Sequence, residues 1–492
     1  MQATPKIQPK QPRGLFYLFQ TELWERFSYY GVTALLILYL SKSLHLPDEL
    51  TYTLYGAYGT LIYATPILGG IIADRFLGPY RAVILGGLLI ALGHFLLMLQ
   101  DSSLYAFFSG LSFIIVGTGL FKPNIGTMVG NLYTTNDARR DSGFTLAYLG
   151  SNIGTIAAPL IASFIAVKYN TNIAFGLAGI GMLVGLFFFY RGRKHLNLTP
   201  TPTPIKTRLE FSISLISLGV LTLSAAIYFF LKNPALTQYL IVIIGAGTIL
   251  LFTRALLKSS SREKKQLILL MIFIVFYVIF MIMLQQSGGM LNLFTDRFVD
   301  RQFLGWQIPT STFQAVEPLA LVLLGPLFAY FWQRSSTSGK AISYPISFAI
   351  SLIILASAFT ILSLAIKLTG EHGKISMWWL NSSYVLQAGG ELFIGPIGLA
   401  MLTKLTPKRL IGMMMGIWVL GSAIANFSAA KIGALTSNHP DIGTYGHVIN
   451  GLALATAIAA ISLLALTPLL NRLAHKSIKT KIETREKLQY TP

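Results

Sequence analysis

The sequence predicts an all-α polytopic membrane protein, and three observations predict it. Only 11% of the 492 residues are charged while 53% are hydrophobic, whereas a soluble chain carries about a quarter charged residues. Apolar runs of about 20 residues, the length that crosses bilayer hydrocarbon, recur from end to end, and the mean hydropathy is +0.63. Lys and Arg gather at the ends of those runs rather than along them, as the positive-inside rule describes. The runs are continuous rather than alternating, which excludes a β-barrel. A net charge of +20 would suit nucleic acid, but its placement reads as topology, so no nucleic-acid partner is expected. The absence of cysteine removes disulfides, iron–sulfur clusters and thiolate zinc sites together.

The opening MQATPKIQPKQPRG is polar, Pro-rich and basic, without a cleavable signal, so residues 1–14 are expected to form a cytoplasmic tail. Apolar segments near 15–41, 50–76, 80–100, 103–132, 141–168 and 172–191 predict an N-terminal six-helix bundle over 15–191. RGRKHLNLTPTPTPIKTRLE (191–210) follows as a basic loop whose TPTPTP core favours extended backbone. Segments near 211–231 and 236–257, joined by LKNPALT, predict a two-helix hairpin, and KSSSREKK (258–265) a second basic loop. The linker with its hairpin covers 192–265. Six further segments, near 266–291, 307–333, 341–368, 376–404, 410–431 and 447–471, predict a C-terminal six-helix bundle over 266–471. A basic cytoplasmic tail, 472–492, closes the chain.

The count is fourteen helices, arranged six, two and six. With both termini in the cytoplasm, 28 of the 38 Lys and Arg lie on that side and 8 outside, with Arg26 and Lys122 inside spans. The inverse topology would reverse the bias. The hairpin has no charged residue between Phe211 and Leu231 or between Thr237 and Thr253, which suits a lipid-facing accessory. Two six-helix halves joined by a long cytoplasmic connection is the parallel-repeat plan of secondary transporters, whose site lies at the midplane between halves.

TELWERFSYYG (21–31) opens the first span. Glu22, Glu25, Arg26, Tyr29 and Tyr30 recur at helical spacing and share one face. Ionisable side chains inside a span cost about 2.5–3.5 kcal/mol each, so the stripe must face water, a partner or a substrate. Snorkelling is the plainer reading for Glu22, about 12 Å from Gly14 along the helix. It is harder for Arg26, about 18 Å in. Between helices 2 and 3, GGIIADRFLGPYR places Asp74, Arg75, Gly78 and Arg81 in a tight charged turn that resembles the signature of the major facilitator superfamily.

With that turn, TELWERFSYYG resembles the E-x-x-E-R-F-x-Y-Y-G element of the proton-dependent oligopeptide transporter family. IYATPILGGIIADR, GTGLFKPNIG, GSNIGTIAAP, LNLFTD, GELFIGPIGLAMLTKLTPKR and GIWVLGSAIAN agree with it in order along nearly the whole chain. The two-helix insertion resembles that of bacterial members. The resemblance implies a proton-coupled symporter importing di- and tripeptides across the bacterial inner membrane. It would work by alternating access, with the proton as its only coupling ion, no cofactor or metal, lipid around it, and the monomer as its working form.

A dipeptide is a zwitterion, so its pocket needs a cationic pole, an anionic pole and adaptable walls. The cationic pole is Arg26 with Lys122, the latter in an otherwise apolar helix beside Pro123. By the resemblance they hold the peptide carboxylate while Glu22 and Glu25 exchange protons and salt bridges with them. A static structural ion pair is the plainer reading. The anionic pole is Glu391, the only ionisable residue between Lys374 and Lys404. It meets either the peptide ammonium or a local group such as Asn152, which could equally accept from the ammonium or bridge helices. The walls would be Tyr29, Tyr30, Tyr63 and Trp418, with Ser422 one turn later; each could equally be packing. His94 and Met413 to Met415 read as core filling, and Trp378 with Trp379 as interfacial anchors.

Three positions depart from the family pattern. Thr33 stands where an Arg is common, and Gln285, counted among the peptide-binding positions, stands where helix 7 commonly carries a Glu. Losing both charges together is coherent, because losing one would strand the other. Glu317, in FQAVEPLAL, stands where an Asn is expected. It is expected either to titrate during transport, taking over part of the helix 7 role, or to be a second anchor for the ammonium. The departures leave room for another small zwitterion or a peptidomimetic as substrate. A drug/proton antiporter of the same superfamily is the rival, disfavoured by two cations in the pocket. No P-loop pattern is present, so ATP is not the energy source, and no nucleophile–base or metal-ligand set points to an enzyme.

Overall fold

A computed structural model describes residues 10–99, 104–134, 137, 139–196, 209–337, 342–370 and 373–489. Its helices are α1 (Arg13–Leu38), α2 (Asp48–Ile72), α3 (Pro79–Met98), α4 (Leu104–Asn131), α5 (Arg140–Lys168), α6 (Thr171–Arg191), α7 (Leu209–Lys232) and α8 (Pro234–Leu257). They continue as α9 (Ser261–Leu284), α10 (Met290–Phe298), α11 (Val316–Thr337), α12 (Tyr344–Thr369), α13 (Met377–Leu405), α14 (Ile411–Ala434) and α15 (Ile442–Gln489). Two-residue strands pair Val299–Asp300 with Ile375–Ser376 and Gln302–Phe303 with Trp306–Gln307. Among the described residues, twelve helices are long and apolar enough to cross a membrane. The other two expected spans are α1, which carries Glu22, Glu25 and Arg26, and α7, whose described apolar stretch is Ser217–Lys232.

Several boundaries differ from those read in the sequence, each for a local reason. Ser260 caps α9: its hydroxyl accepts from the Glu263 N–H at 3.4 Å, and the Glu263 carboxylate accepts from the Ser260 N–H at 3.0 Å. This capping box turns most of the expected basic loop into the first turns of a helix. The segment expected over 266–291 stops at Leu284; 285–289 turn, and the chain restarts as α10. Gly288 in that turn leaves room for the Tyr55 hydroxyl, which a Cβ there would meet. The segment near 307–333 begins as a 3-10 turn, Thr310–Ala315, before α11. The last helix runs to Gln489, through the residues expected to be a tail. The TPTPTP stretch lies outside the described residues.

The chain divides into two compact units, one made of residues 1–36 and 64–232, the other of 37–63 and 233–492. This cuts across the expected hairpin. In the first unit α7 packs on α4, where the Ser112 hydroxyl donates to the Ser224 carbonyl and the rings of Phe108 and Tyr228 meet edge to face. In the second unit α8 buries only Thr237, while α7 packs on one side and leaves Leu218, Leu221 and Phe229 exposed. Within the first unit α3 and α4 touch through Gly86 and Gly117, where a Cβ on either would overlap the other's carbonyl oxygen. The second unit is centred on large buried rings, Phe273, Phe280, Phe294, Phe348, Tyr384 and Tyr445 among them.

Residues 37–63 belong to the second unit because polar contacts tie them to it. Arg297 donates from both terminal nitrogens to Asp48 at 2.6 and 2.7 Å, and from one of them to the Tyr445 hydroxyl at 3.2 Å. Those hydrogen bonds to Asp48 hold the Arg297 guanidinium above its ordinary pKa. Lys42 pairs with Asp296 at 2.8 Å, and the Tyr52 hydroxyl meets those of Tyr445 and Thr436 at 3.2 and 3.3 Å. A part-buried bidentate pair is worth more than an exposed one. Asp48→Asn is expected to destabilise the purified protein by about 1–3 kcal/mol, with Asp48→Arg/Arg297→Asp recovering part of the loss in thermal melts. An unchanged melting temperature in Asp48→Asn would contradict this.

Candidate functional site

The first unit holds the motif of α1. Arg26 Nε lies 2.9 Å from Glu25 Oε2 and 3.9 Å from Glu22 Oε2. The Glu25 contact is an ion pair without hydrogen-bond alignment, and Glu25 is 1% exposed. Lys122 on α4 feels the charges of Arg26, Glu25 and Glu22. Its Nζ stands 5.8 Å from the centre of the Tyr29 ring, and Arg26 Cζ stands 5.7 Å from the same ring. Tyr29 therefore receives two cations on its π-system, while Tyr30 meets it edge to face at 5.0 Å. Two cations and two carboxylates compensate each other inside apolar helices, an arrangement that is expensive to break from one side.

Close helix packing sets this geometry. Gly154, from the GSNIG stretch of α5, lies so near α1 that a Cβ would overlap the Leu23 carbonyl oxygen and crowd Arg26 Cβ. On another side, Ser28 and His94 Nε2 are 2.6 Å apart, both fully buried. His94 is thus more than core filling: it ties α3 to the motif helix. Asn152 donates to the Tyr148 carbonyl of its own helix at 2.9 Å, and Thr33 to that of Tyr29 at 2.9 Å. The signature turn follows α2 as expected. Ala73–Leu77 form a wide π-turn, Gly78 takes φ +72°, and Pro79 starts α3, leaving Asp74, Arg75 and Arg81 exposed.

The second unit holds the acidic residues. Glu317 stands in the first turn of α11 and Glu391 in the middle of α13, two helices that pack through Ala320, Leu321 and Ala388. The Trp418 ring stacks on Tyr277 at 3.8 Å, and Tyr277 shares a hydrogen bond of 2.9 Å with Ser422. Glu391 and the Tyr63 hydroxyl lie within electrostatic reach of Tyr277. Gln285 caps the C-terminus of α9. Met414 is buried with Met413 and Met415 packed beside it, Trp379 packs on the core, and Trp378 is exposed. The sequence reading missed Tyr277, although it carries the only hydroxyl within Leu267–Leu284. It also missed the Ser28–His94 and Asp48–Arg297 pairs, which join positions far apart in the chain.

Hydrophobic helices that carry ionisable groups in each of two units define a polytopic transporter of the major facilitator fold. The chain belongs to the POT family, whose model matches residues 80–448, and members of that family are transporters rather than enzymes. It is similar to "Dipeptide and tripeptide permease A" of Serratia proteamaculans (strain 568), 30% identical over 487 residues, 98% of this chain and 95% of that one. The permease of the same name from Edwardsiella piscicida is 32% identical over 472 residues, 94% of this chain and 96% of that one. Among solved structures, a mutant peptide transporter POT in complex with alafosfalin is similar at 30% identity and TM-score 0.82, covering 94% of this chain and 96% of that one. A POT family transporter in complex with 5-aminolevulinic acid is similar at 28% identity and TM-score 0.82, covering 93% of this chain and 97% of that one.

Gly154→Val is expected to drive α1 from α5 and disturb the Glu25–Arg26–Lys122 cluster. Overpacking of this kind costs about 1–3 kcal/mol, read as a lower melting temperature of the purified protein. Gly126→Ala on α4, where a Cβ meets nothing within 4 Å, should leave the melt unchanged. Equal melting temperatures for Gly154→Val and the parent chain would contradict the packing described.

Proposed function

We propose that the protein is a proton-coupled symporter that imports di- and tripeptides across the bacterial inner membrane by alternating access, both termini cytoplasmic. The observation that carries this is the pairing of Arg26 and Lys122 with Glu22 and Glu25 around Tyr29, inside apolar helices. A peptide carboxylate arriving at Arg26 and Lys122 takes the place of a glutamate. A proton on the displaced glutamate then restores neutrality, so substrate and proton enter together. Glu391 receives the peptide amine, with Glu317 beside it. Tyr29, Tyr30, Tyr63 and Trp418 supply tolerant walls, and Ser422 orients Tyr277 rather than the ligand. Asn152 and Gln285 have a smaller part here than in the sequence reading. The similar transporter solved with 5-aminolevulinic acid favours, as a second reading, a small zwitterion that keeps an amine and a carboxylate without a peptide bond.

Reconstituted vesicles test the proposal. An imposed proton gradient should drive accumulation of labelled Ala-Ala, abolished by a protonophore and competed by Ala-Ala-Ala but not by alanine. Lys122→Ala and Glu391→Gln should each lower uptake at least ~10-fold, the effect of losing about 1.4 kcal/mol. Uptake indifferent to the gradient would rule out coupling, and competition by cationic drugs alone would favour the antiporter.

A further inference from the structure

In the first unit, the start of α1 and the end of α6 form a cationic rim that the chain does not neutralise. The two helices lie antiparallel: a Cβ on Gly192, Gly185 or Gly181 would crowd Tyr17, Trp24 or Phe27 in turn. Arg13, the first residue of α1, therefore stands level with the 3-10 turn Gly192–His195 that follows α6. Both sides are held in place. The His195 ring stacks on Tyr17, centres 5.6 Å apart and planes 7° apart, and a Cβ on Gly14 would overlap the His195 carbonyl oxygen. Ahead of Arg13, Gln11 donates to the Ser142 hydroxyl at 2.7 Å and accepts from the Tyr133 hydroxyl at 2.8 Å. On this frame Arg13, Arg191 and Lys194 are exposed, and none of them forms an ion pair among the described residues. The sequence has no Asp or Glu from Met1 to Thr21 or from Ser142 to Leu209. Arg193 turns away from the group and stands over the Tyr80 ring of α3 at 5.7 Å. Exposed rings lie one turn deeper. Phe16 follows Arg13 at i+3, and Phe187, Tyr190 and Arg191 stand at i, i+3 and i+4, so each set shares a face. Phe16, Phe187 and Tyr190 are 55%, 59% and 63% exposed. Phe16 and Phe187 both meet Phe188 edge to face, at 6.3 and 5.8 Å, which joins the rings of the two helices into one apolar strip.

We propose that this seam binds an anionic phospholipid, its phosphodiester against Arg13, Arg191 and Lys194 and its acyl chains along Phe16, Phe187 and Tyr190. The positive-inside rule asks only that cations collect on one side of the bilayer. It does not ask that two helices bring them to the rim of an exposed aromatic strip. Guanidinium groups match phosphate oxygens in pairs, and aromatic side chains favour the headgroup boundary. The charge selects the lipid. With no acid at hand, the rim favours a headgroup of net negative charge over a zwitterionic one that brings its own ammonium. A free phosphate would meet the cations but leave the rings uncovered. A lipid seated here clamps α1 to α6, and α1 is the helix that carries Glu25 and Arg26. The inference requires only that α1 and α6 cross a bilayer, whatever the transported substrate.

Native mass spectrometry of the full-length protein in detergent, titrated with phosphatidylglycerol, tests this. The protein should retain phosphatidylglycerol in preference to phosphatidylcholine. Each cation beside an anionic headgroup is worth about fivefold in binding, so Arg13→Gln/Arg191→Gln should weaken retention about 30-fold. Arg254→Gln/Lys258→Gln removes two exposed cations from the end of α8 instead and should leave retention unchanged. Phe16→Ala/Phe187→Ala, which keeps every charge, should also weaken it, and Arg13→Lys/Arg191→Lys should keep most of it. In nanodiscs, adding phosphatidylglycerol to phosphatidylcholine should raise the melting temperature of the parent chain but not of Arg13→Gln/Arg191→Gln. In phosphatidylcholine alone the two should melt together, which shows the variant folded. Equal losses in the α1–α6 and α8 double variants would mean diffuse attraction and overturn the site. Displacement of the lipid by inorganic phosphate, or no preference over phosphatidylcholine, would overturn it as well.

Discussion

A charge inside a membrane helix must be compensated where it stands, and the first unit of this protein does so with its own residues. In the first unit, two cations compensate two carboxylates around Tyr29. In the second, α11 and α13 carry Glu317 and Glu391 within apolar helices. Buried ion pairs contribute little net stability but resist one-sided loss. In the proposed function, that asymmetry is what has an arriving carboxylate exchange with a resident one instead of merely adding to it.

The supporting structure keeps these groups in register by close backbone approach. Gly154 brings α5 against the motif turn of α1, and His94 holds the same helix from α3 through Ser28. Around Glu391, two serine hydroxyls of α12 fix the backbone of α13. Hydroxyl-to-carbonyl bonds of this kind satisfy polar groups where no water competes. They also position side chains without adding charge.

Much of the fold was legible because hydropathy and basic-residue placement report directly on the bilayer. The E-x-x-E-R stripe, Lys122 beside Pro123 and the Gly78 turn could each be read from a few adjacent residues. Features that depend on the third dimension could not. Glu317 and Glu391 each stood out as isolated acids, yet 74 residues separate them and only folding packs their helices together through Ala320, Leu321 and Ala388. Asp48 with Arg297 and Ser28 with His94 were hidden for the same reason. The break after Leu284 had a signal, the paired glycines at 288 and 289, but a glycine pair does not say whether a helix bends or ends. α15 outran its apolar stretch because helix propensity continues where hydropathy stops.

The central claim is that each end of a zwitterion has its own charged partner in this chain. The most direct measurement is a binding cycle that crosses ligand ends with substitutions: Ala-Ala, an analogue without the amine and an analogue without the carboxylate, each against the parent chain, Lys122→Ala and Glu391→Gln. The account predicts that removing the amine weakens binding to the parent and to Lys122→Ala but adds nothing in Glu391→Gln. Removing the carboxylate should show the converse. Additive losses at both ends in both variants would contradict it.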